Sequence, residues 1–303
     1  MKKLPLLVSL IVMLVLVSTW WILTGRAPVA RTTEPELASR GDALVGRLNS
    51  RLGTMWNPAR PAPDWKLPQA LRTIARYPVE GGELKAQEGE RIQAVHRRSW
   101  STVTTLLPPE VTREVGTFLL STDGRGGDRG RVKLAPNGLS WQLALDPRDS
   151  APVERLNTLI YQSAFLTALA PSQLQTLPEG YPCPTVLTSA GCVQSGSLMQ
   201  RYVRTFWSDA MLKDWRRRKV AEQPTQAQAF FAAYPNTFLN VSAARGPEQD
   251  FAMSWTAFIL GQRPAREDTA AQRKVAFFYS DPQLTALRLK ILRRVSSAFP
   301  AKS

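Results

Sequence analysis

Histidine and cysteine, the side chains that most often hold catalytic metals, are nearly missing from this sequence. Its 303 residues include one histidine, His96, and two cysteines, Cys183 and Cys192. Because a catalytic zinc normally takes three protein ligands, one histidine cannot complete such a site. The cysteines have no neighbouring histidine, so a metal pair is a poor alternative to a disulfide outside the cytoplasm. We predict a Cys183–Cys192 disulfide and no metal or other cofactor.

Motifs of other enzyme classes are also missing. No G-x-S-x-G elbow is present to join His96 in a catalytic triad, and the neighbouring Arg97 and Arg98 indicate that His96 lies at the surface. The glycine-rich segment Gly124 to Gly130 lacks the G-K-[ST] end of a phosphate-binding loop, and we expect it to be a hairpin loop. A hydrolase that needs no metal stays open as an alternative, without an identified nucleophile.

Acidic residues are too few to balance the basic ones. The chain has 24 Asp and Glu against 39 Lys and Arg, which gives a net charge of +15. A basic surface favours anionic partners such as nucleic acid, anionic lipid or acidic wall polymers, although it also keeps a domain soluble beside a membrane. A candidate anion-binding cluster is formed by Arg216, Arg217, Arg218 and Lys219. The same cluster suits the C-terminal end of a helix, where cations are stabilised.

The first residues have the pattern of a membrane anchor. Lys2 and Lys3 precede an apolar run from Leu4 to Leu23, which is long enough to cross a bilayer as a helix. The run is longer than a secretory signal core, and Ala27 to Ala30 match a cleavage site poorly. We therefore predict that residues 1–24 are an uncleaved transmembrane helix. The lysines place the N-terminus in the cytoplasm and the body on the periplasmic side of the inner membrane, which argues against a nucleic-acid partner.

Residues 25–68 are expected to form a stalk, and residues 69–303 the folded body. The stalk is rich in proline, and apolar residues at helical spacing from Leu37 to Leu52 predict a short helix within it. In the body, alternating apolar residues predict a strand at residues 117–121 and a hairpin at residues 131–145, followed mostly by helices. The predicted helices cover residues 71–75, 150–170, 197–220, 247–261 and 281–299. The predicted fold class is therefore α+β.

Two segments resemble the metal-binding helices of zincin metallopeptidases. Asn157 to Leu166 (N-T-L-I-Y-Q-S-A-F-L) is similar to the active-site helix frame T-L-I-H-E-F-G-H-L. Gly246 to Trp255 (G-P-E-Q-D-F-A-M-S-W) is similar to the P-E-E-D-F-A-E-S-F segment that supplies the third zinc ligand in a group of bacterial zinc peptidases. The strand from Trp141 to Asp146 resembles the edge strand before the active-site helix. The resemblance covers roughly residues 115–295 and implies a zincin-like fold, with a hairpin and sheet followed mostly by helices.

The resemblance also implies that the zinc-site chemistry has been replaced. Tyr161 and Phe165 stand at the two histidine positions, Gln162 at the general base and Met253 at the third ligand. In the family, histidines at i and i+4 bind zinc from one helix face, and the glutamate takes a proton from the zinc-bound water. Here phenylalanine has no donor atom, a methionine thioether is soft, tyrosine has an ordinary pKa of about 10, and glutamine is not a base.

These patterns predict a membrane-anchored pseudopeptidase rather than an enzyme. With its metal site replaced, the cleft would hold a protein or peptide partner as an extended strand near Trp141. One alternative is a protein that binds the membrane surface or a wall polymer through its basic face. Another is an ordinary buried helix, in which Tyr161 and Phe165 are core residues and the likeness is chance.

Overall fold

The fold is described by a computed structural model over residues 33–63, 71–86, 91–124, 129–148, 151–178 and 180–300. The described residues from Glu34 to Pro300 form one unit by their contacts. The predicted anchor at residues 1–24 lies outside the described residues, as does Ser150, the first residue of the helix predicted at 150–170. Within the described ranges, no helix is long and apolar enough to span a membrane.

Strands and helices both contribute to the body, and the predicted α+β class is confirmed. The strands are β1 Arg72–Glu80, β2 Glu83–Leu84, β3 Val115–Thr122, β4 Gly130–Leu134, β5 Trp141–Leu145, β6 Leu187–Thr188 and β7 Gly191–Cys192. The helices are α1 Glu34–Leu52, α2 Ala94–Leu106, α3 Pro109–Thr112, α4 Pro152–Ala168, α5 Leu198–Phe206, α6 Asp209–Arg217, α7 Pro224–Ala233, α8 Pro247–Leu260, α9 Ala270–Phe277 and α10 Pro282–Ala298.

The main sheet has the strand order β2-β1-β3-β5-β4 among the described residues. Strand β5 runs parallel to β3 and antiparallel to β4, so the predicted hairpin is confirmed as β4 and β5. The expectation that Trp141 to Asp146 form the edge strand is wrong, because β5 lies inside the sheet and β4 lies at its edge. Consistent with an interior strand, β5 is buried along nearly its whole length.

One face of the sheet, called the inner face, packs against helices. The ring of Trp100 on α2 lies 5.2 Å from that of Phe118 on β3, measured between centroids. Thr158 on α4 approaches β4 so closely that a Cβ atom on Gly130 would lie 2.8 Å from its methyl carbon. Glycine at residue 130 therefore lets α4 and the edge strand meet, which sets the position of the candidate site.

The predicted stalk at residues 25–68 is not what the structure shows for its described part. Helix α1 buries Leu44, Val45 and Leu48, and the folded unit begins at Glu34 rather than near residue 69. The buried Arg288 of α10 bonds to Asp42 of α1 at 2.8 Å, which fixes the two helices together. The buried apolar residues of α1 and the ion pair between Asp42 and Arg288 therefore make α1 part of the core and not of a linker.

Several local predictions also differ from the structure. The segment expected as a helix at 71–75 begins strand β1, which pairs with β3. The helix predicted at 197–220 is two helices, because Trp207 ends α5 and the Ser208 hydroxyl accepts a bond from Met211 N–H to begin α6. No helix was predicted at the positions of α2, α3, α7 and α9. Those predicted at 150–170, 247–261 and 281–299 are confirmed as α4, α8 and α10.

His96, expected at the surface, is buried. It is 6% exposed and shares a 2.7 Å hydrogen bond with the hydroxyl of Tyr77. Helix α2 turns this side chain toward the sheet, while the neighbouring Arg97 and Arg98 are exposed. Burial lowers the pKa of His96, which favours the neutral ring.

Candidate functional site

The four zincin-frame positions, Tyr161, Gln162, Phe165 and Met253, lie on two helices that pack together. Tyr161 neighbours two of the others: its ring centroid is 5.5 Å from that of Phe165 in an edge-to-face arrangement, and it lines a small gap together with Met253. The gap has a volume of about 10 Å³, room for about one water. The side chains at the expected ligand positions therefore fill this part of the core.

Gln162, at the position expected for the general base, joins two elements. Its side chain is 2% exposed, and its Nε2 donates a 2.7 Å hydrogen bond to the carbonyl oxygen of Gly130. A glutamate here would turn an ionised carboxylate toward that carbonyl, and both groups accept hydrogen bonds. The amide therefore fits a structural bond between α4 and the edge strand.

A cleft of about 300 Å³ opens beside this bond. Its lining comes from the edge strand, Trp141 of β5, helix α4, the turn between β6 and β7, and the region where α8 begins. The cleft residues are Arg131, Val132, Lys133, Leu134, Trp141, Gln162, Phe165, Ser189, Ala190, Arg245, Glu248 and Gln249. Of the four zincin-frame positions, Gln162 and Phe165 line the cleft, whereas Tyr161 and Met253 line the gap.

The turn between β6 and β7, which is part of the cleft lining, lies within a disulfide-closed loop. The predicted Cys183–Cys192 disulfide is confirmed, with 5.5 Å between the Cα atoms. Ser189 lies in the turn between β6 and β7, and its N–H and hydroxyl donate to the two carboxylate oxygens of Glu248 at 2.7 Å and 2.6 Å. The sequence indicated the disulfide, but its place in the cleft wall depends on a contact with α8 that no local pattern reveals.

Strand β4 has a backbone edge that faces away from β5. Ala135 N–H donates to the Ser140 carbonyl at 2.8 Å, and Asp146 N–H donates to the Arg129 carbonyl at 3.1 Å. Because antiparallel pairs alternate, the odd-numbered residues of β4 bond to β5, and the even-numbered residues turn their backbone groups outward. Those residues are Gly130, Val132 and Leu134. Among the residues that the structure describes, no second strand pairs with this edge.

The cleft carries more basic than acidic groups. Arg131, Lys133 and Arg245 line it, against the carboxylate of Glu248, which accepts both bonds from Ser189. A ligand with acceptor groups or negative charge is therefore favoured by the charges of the lining.

Trp141 adds a buried donor to the cleft lining. The residue is 2% exposed, and its indole Nε1–H has no acceptor within the described part of the chain. A buried donor without a partner is costly, so this indole is a polar group of the cleft lining that the described residues leave unsatisfied.

The candidate anion-binding cluster Arg216, Arg217, Arg218 and Lys219 lies at the end of α6, outside the cleft lining. Arg217 and Arg218 both form ion pairs with Asp214, the latter at 2.8 Å. The hydrogen bond from Arg217 lowers the pKa of Asp214, although burial opposes this change. The structure thus engages two members of the cluster with an acid on their own helix and does not bring them to the cleft.

A buried ion pair lies one turn from Met253 on α8. Asp250 bonds to Lys274 of α9 at 2.6 Å, and both side chains are fully buried. Trp207 Nε1–H donates to the same carboxylate oxygen at 2.9 Å. Burial raises the pKa of Asp250 and lowers that of Lys274, while their mutual attraction opposes both changes. No local pattern in the sequence predicts this pair, because Asp250 and Lys274 lie on different helices.

Known proteins provide no guide to this site. No protein-family model, no curated protein and no solved structure matches the chain. Over the described residues, no three histidine, cysteine, aspartate or glutamate side chains lie together as metal ligands. The resemblance to zincins therefore stays a prediction, and a functional conclusion depends on the geometry of the cleft.

Proposed function

We propose that this chain is a membrane-anchored, zincin-like pseudopeptidase that binds an extended peptide segment of an envelope protein in the cleft beside β4. The observation that carries the proposal is the outward-facing backbone of Val132 and Leu134 beside a cleft with room for a ligand. Such an edge pairs with an added strand through main-chain hydrogen bonds. Trp141 lines the same cleft, and its buried indole N–H has no acceptor among the described residues.

The zincin-like part of the proposal is supported by the order of the elements around the cleft. An antiparallel edge strand, an inner strand, helix α4 and the later helix α8 follow one another along the chain, and α4 packs against α8. Tyr161 neighbours both Phe165 and Met253, as expected of residues that replace a ligand set. A chance likeness in sequence would not require positions 161 and 253 to be neighbours.

The non-catalytic part of the proposal follows from the chemistry of these side chains. Phe165 has no donor atom, and Gln162 donates to Gly130 and cannot act as a base. Buried Tyr161 and Met253 line a gap that has room for about one water. Together they favour packing over hydrolysis at the place where a zincin holds its metal.

A peptide is preferred to a lipid or wall polymer as the ligand because of where the described cations lie. In the cluster at the end of α6, Arg217 and Arg218 pair with Asp214. The cations Arg131 and Lys133, by contrast, lie on the edge strand. A strand edge provides main-chain bonding that lipid head groups and sugar polymers cannot match.

The proposal is tested with the full chain in detergent and a library of random octapeptides. Peptides enriched on the wild type are measured against Val132→Pro and Val132→Thr by fluorescence anisotropy. Proline removes the outward-facing N–H without breaking the β4–β5 pairing, whereas threonine keeps it. We expect a loss of binding of about tenfold or more for Val132→Pro and little change for Val132→Thr. Circular dichroism melts check that both variants fold.

Two results would overturn the proposal. If no peptide is enriched, or if enriched peptides bind Val132→Pro as well as the wild type, the ligand does not pair with β4. If the purified chain holds one tightly bound zinc per molecule by elemental analysis, the non-catalytic part fails, whatever the peptide result.

A further inference from the structure

The edge strand presents two kinds of side chain in strict alternation. Arg131 lies opposite Ala144 of β5, and Ala144 lies opposite Leu119 of β3, so these residues share the outer face of the sheet. Lys133 lies opposite Gln142 and shares that face. The basic residues of β4 thus lie together on the face opposite to the helices.

The intervening residues of β4 have a different character. Val132 lies opposite the fully buried Leu143, which places its side chain on the inner face. Leu134 lies opposite Trp141 on the same face. Both Val132 and Leu134 are only partly buried, and with Phe165 they form an apolar part of the cleft lining.

An added strand would repeat this alternation, because directly opposed residues of neighbouring strands point to the same face. Its residues opposite Arg131 and Lys133 would lie on the outer face. The residues between them would point to the inner face, near Leu134 and Phe165. Along one peptide strand, residues that face cations would therefore alternate with residues that face apolar groups.

We infer that the segment accepted by this edge has alternating acidic and apolar residues, with its acids opposite Arg131 and Lys133. This inference depends on the proposed function and names the ligand class for that site. Opposite charges across a strand pair stabilise it, and like charges destabilise it. With two such pairs, an acidic peptide should bind about tenfold more tightly than its basic counterpart.

The test uses three capped peptides and the full chain in detergent. Their central sequences are Glu-Val-Glu-Val-Glu, Lys-Val-Lys-Val-Lys and Ser-Val-Ser-Val-Ser, which share the apolar positions and differ in charge. Binding is measured for the wild type, for Lys133→Glu and for Lys213→Glu. Lys213 is exposed on α6 outside the cleft, so it controls for the change in net charge.

The expected result has three parts. The wild type prefers the glutamate peptide, added salt weakens that preference, and Lys133→Glu reduces or reverses it while Lys213→Glu leaves the order unchanged. Equal binding of all three peptides would overturn the inference but keep the proposed function. If none of the three binds although library peptides do, the inference also fails. If Lys213→Glu alters the order as much as Lys133→Glu, the preference comes from overall charge and not from the edge strand.

Discussion

Two neighbouring regions of helix α8 differ in whether they contain a buried charge. At Asp250 the core keeps a buried carboxylate, which has Lys274 and the indole of Trp207 as partners. One turn later, Met253 stands where the zincin frame has a ligand, and it packs in a gap with Tyr161. The difference teaches that a buried charge persists in this core where a countercharge and a hydrogen-bond donor accompany it. Around Met253, where the described residues place no charged group in the gap lining except Arg60 and Arg129, the buried Tyr161 and Met253 pack together instead.

The largest effect should come from breaking the charged region. Lys274→Met leaves the carboxylate of Asp250 buried without its cation, which we expect to lower the free energy of unfolding by about 3–5 kcal/mol. Burial already raises the pKa of Asp250. The folded variant should therefore take up a proton more readily than the unfolded chain, and its loss of stability should shrink as the pH falls. Urea denaturation over a range of pH measures both effects.

The control for this prediction is the double variant Asp250→Asn with Lys274→Met. It removes both charges, so most of the stability lost in Lys274→Met should return. If Lys274→Met is as stable as the wild type, or if the double variant recovers nothing, the ion pair is not what stabilises this region.

The next largest effect is expected when metal ligands are introduced into the apolar region around Met253. A variant with Tyr161→His, Phe165→His and Met253→Glu introduces the ligand types of the zincin frame. If the positions converge as a ligand set, zinc at about 100 times its Kd should stabilise this variant by about 2.7 kcal/mol and the wild type not at all. Calorimetric melting with and without zinc measures the change.

A control places the second histidine off the shared helix face, with Leu166→His instead of Phe165→His. It should bind zinc more weakly, because residues at i and i+5 do not present their rings together. Equal zinc responses in both variants, or none in either, would contradict the zincin-like arrangement.

A smaller effect is expected at the hydrogen bond that joins α4 to the edge strand. Gln162→Glu replaces the donor to Gly130 with a group that cannot donate while ionised, at a cost of about 1–3 kcal/mol at neutral pH. Gln283→Glu, exposed in the first turn of α10, is the matched control and should change stability by less than about 0.5 kcal/mol. Chemical denaturation compares them, and equal stabilities would show that the amide bond contributes nothing.

The smallest effect extends the contrast to a buried group away from α8. His96 is the only histidine, and burial places its folded pKa below that of the unfolded chain. Its contribution to stability is therefore fully present above a pH of about 6.5 and is lost as the pH falls toward the folded pKa. NMR of the single imidazole should give a midpoint below about 6.5, and His96→Gln should remove this part of the pH dependence. A midpoint above that value would contradict it.

Local patterns in the sequence were enough to predict the two helices and the hairpin that contribute to the cleft lining. Pro152 and Pro247 begin α4 and α8, and Gly261 ends the latter, so proline and glycine predicted these boundaries well. Turn residues between two alternating segments predicted the β4–β5 hairpin. Each of these signals lies within the element that it predicts.

Features that depend on distant partners were missed. The order of strands in the sheet decides that β4 and not β5 is the edge, and no residue within either strand encodes that order. Likewise, α1 belongs to the body because Arg288 reaches Asp42 across most of the chain. The burial of His96 depends on Tyr77, which lies on a strand that was expected to be a helix. The four zincin-frame positions were predicted from the resemblance. The position of the disulfide-closed loop beside the cleft could be found only from the structure.

The joining of α1 to α10 has a consequence for the order in which the protein can fold. Gly41 leaves room for the guanidinium of Arg288, which also donates to the Gly261 carbonyl at 2.7 Å. Helix α1 emerges early in synthesis, but the helix that covers it is made more than two hundred residues later. Its apolar face therefore stays exposed until nearly the whole body has been translated. Completion of the core is a late, long-range step, and a chain interrupted before Pro282 would leave α1 without its cover.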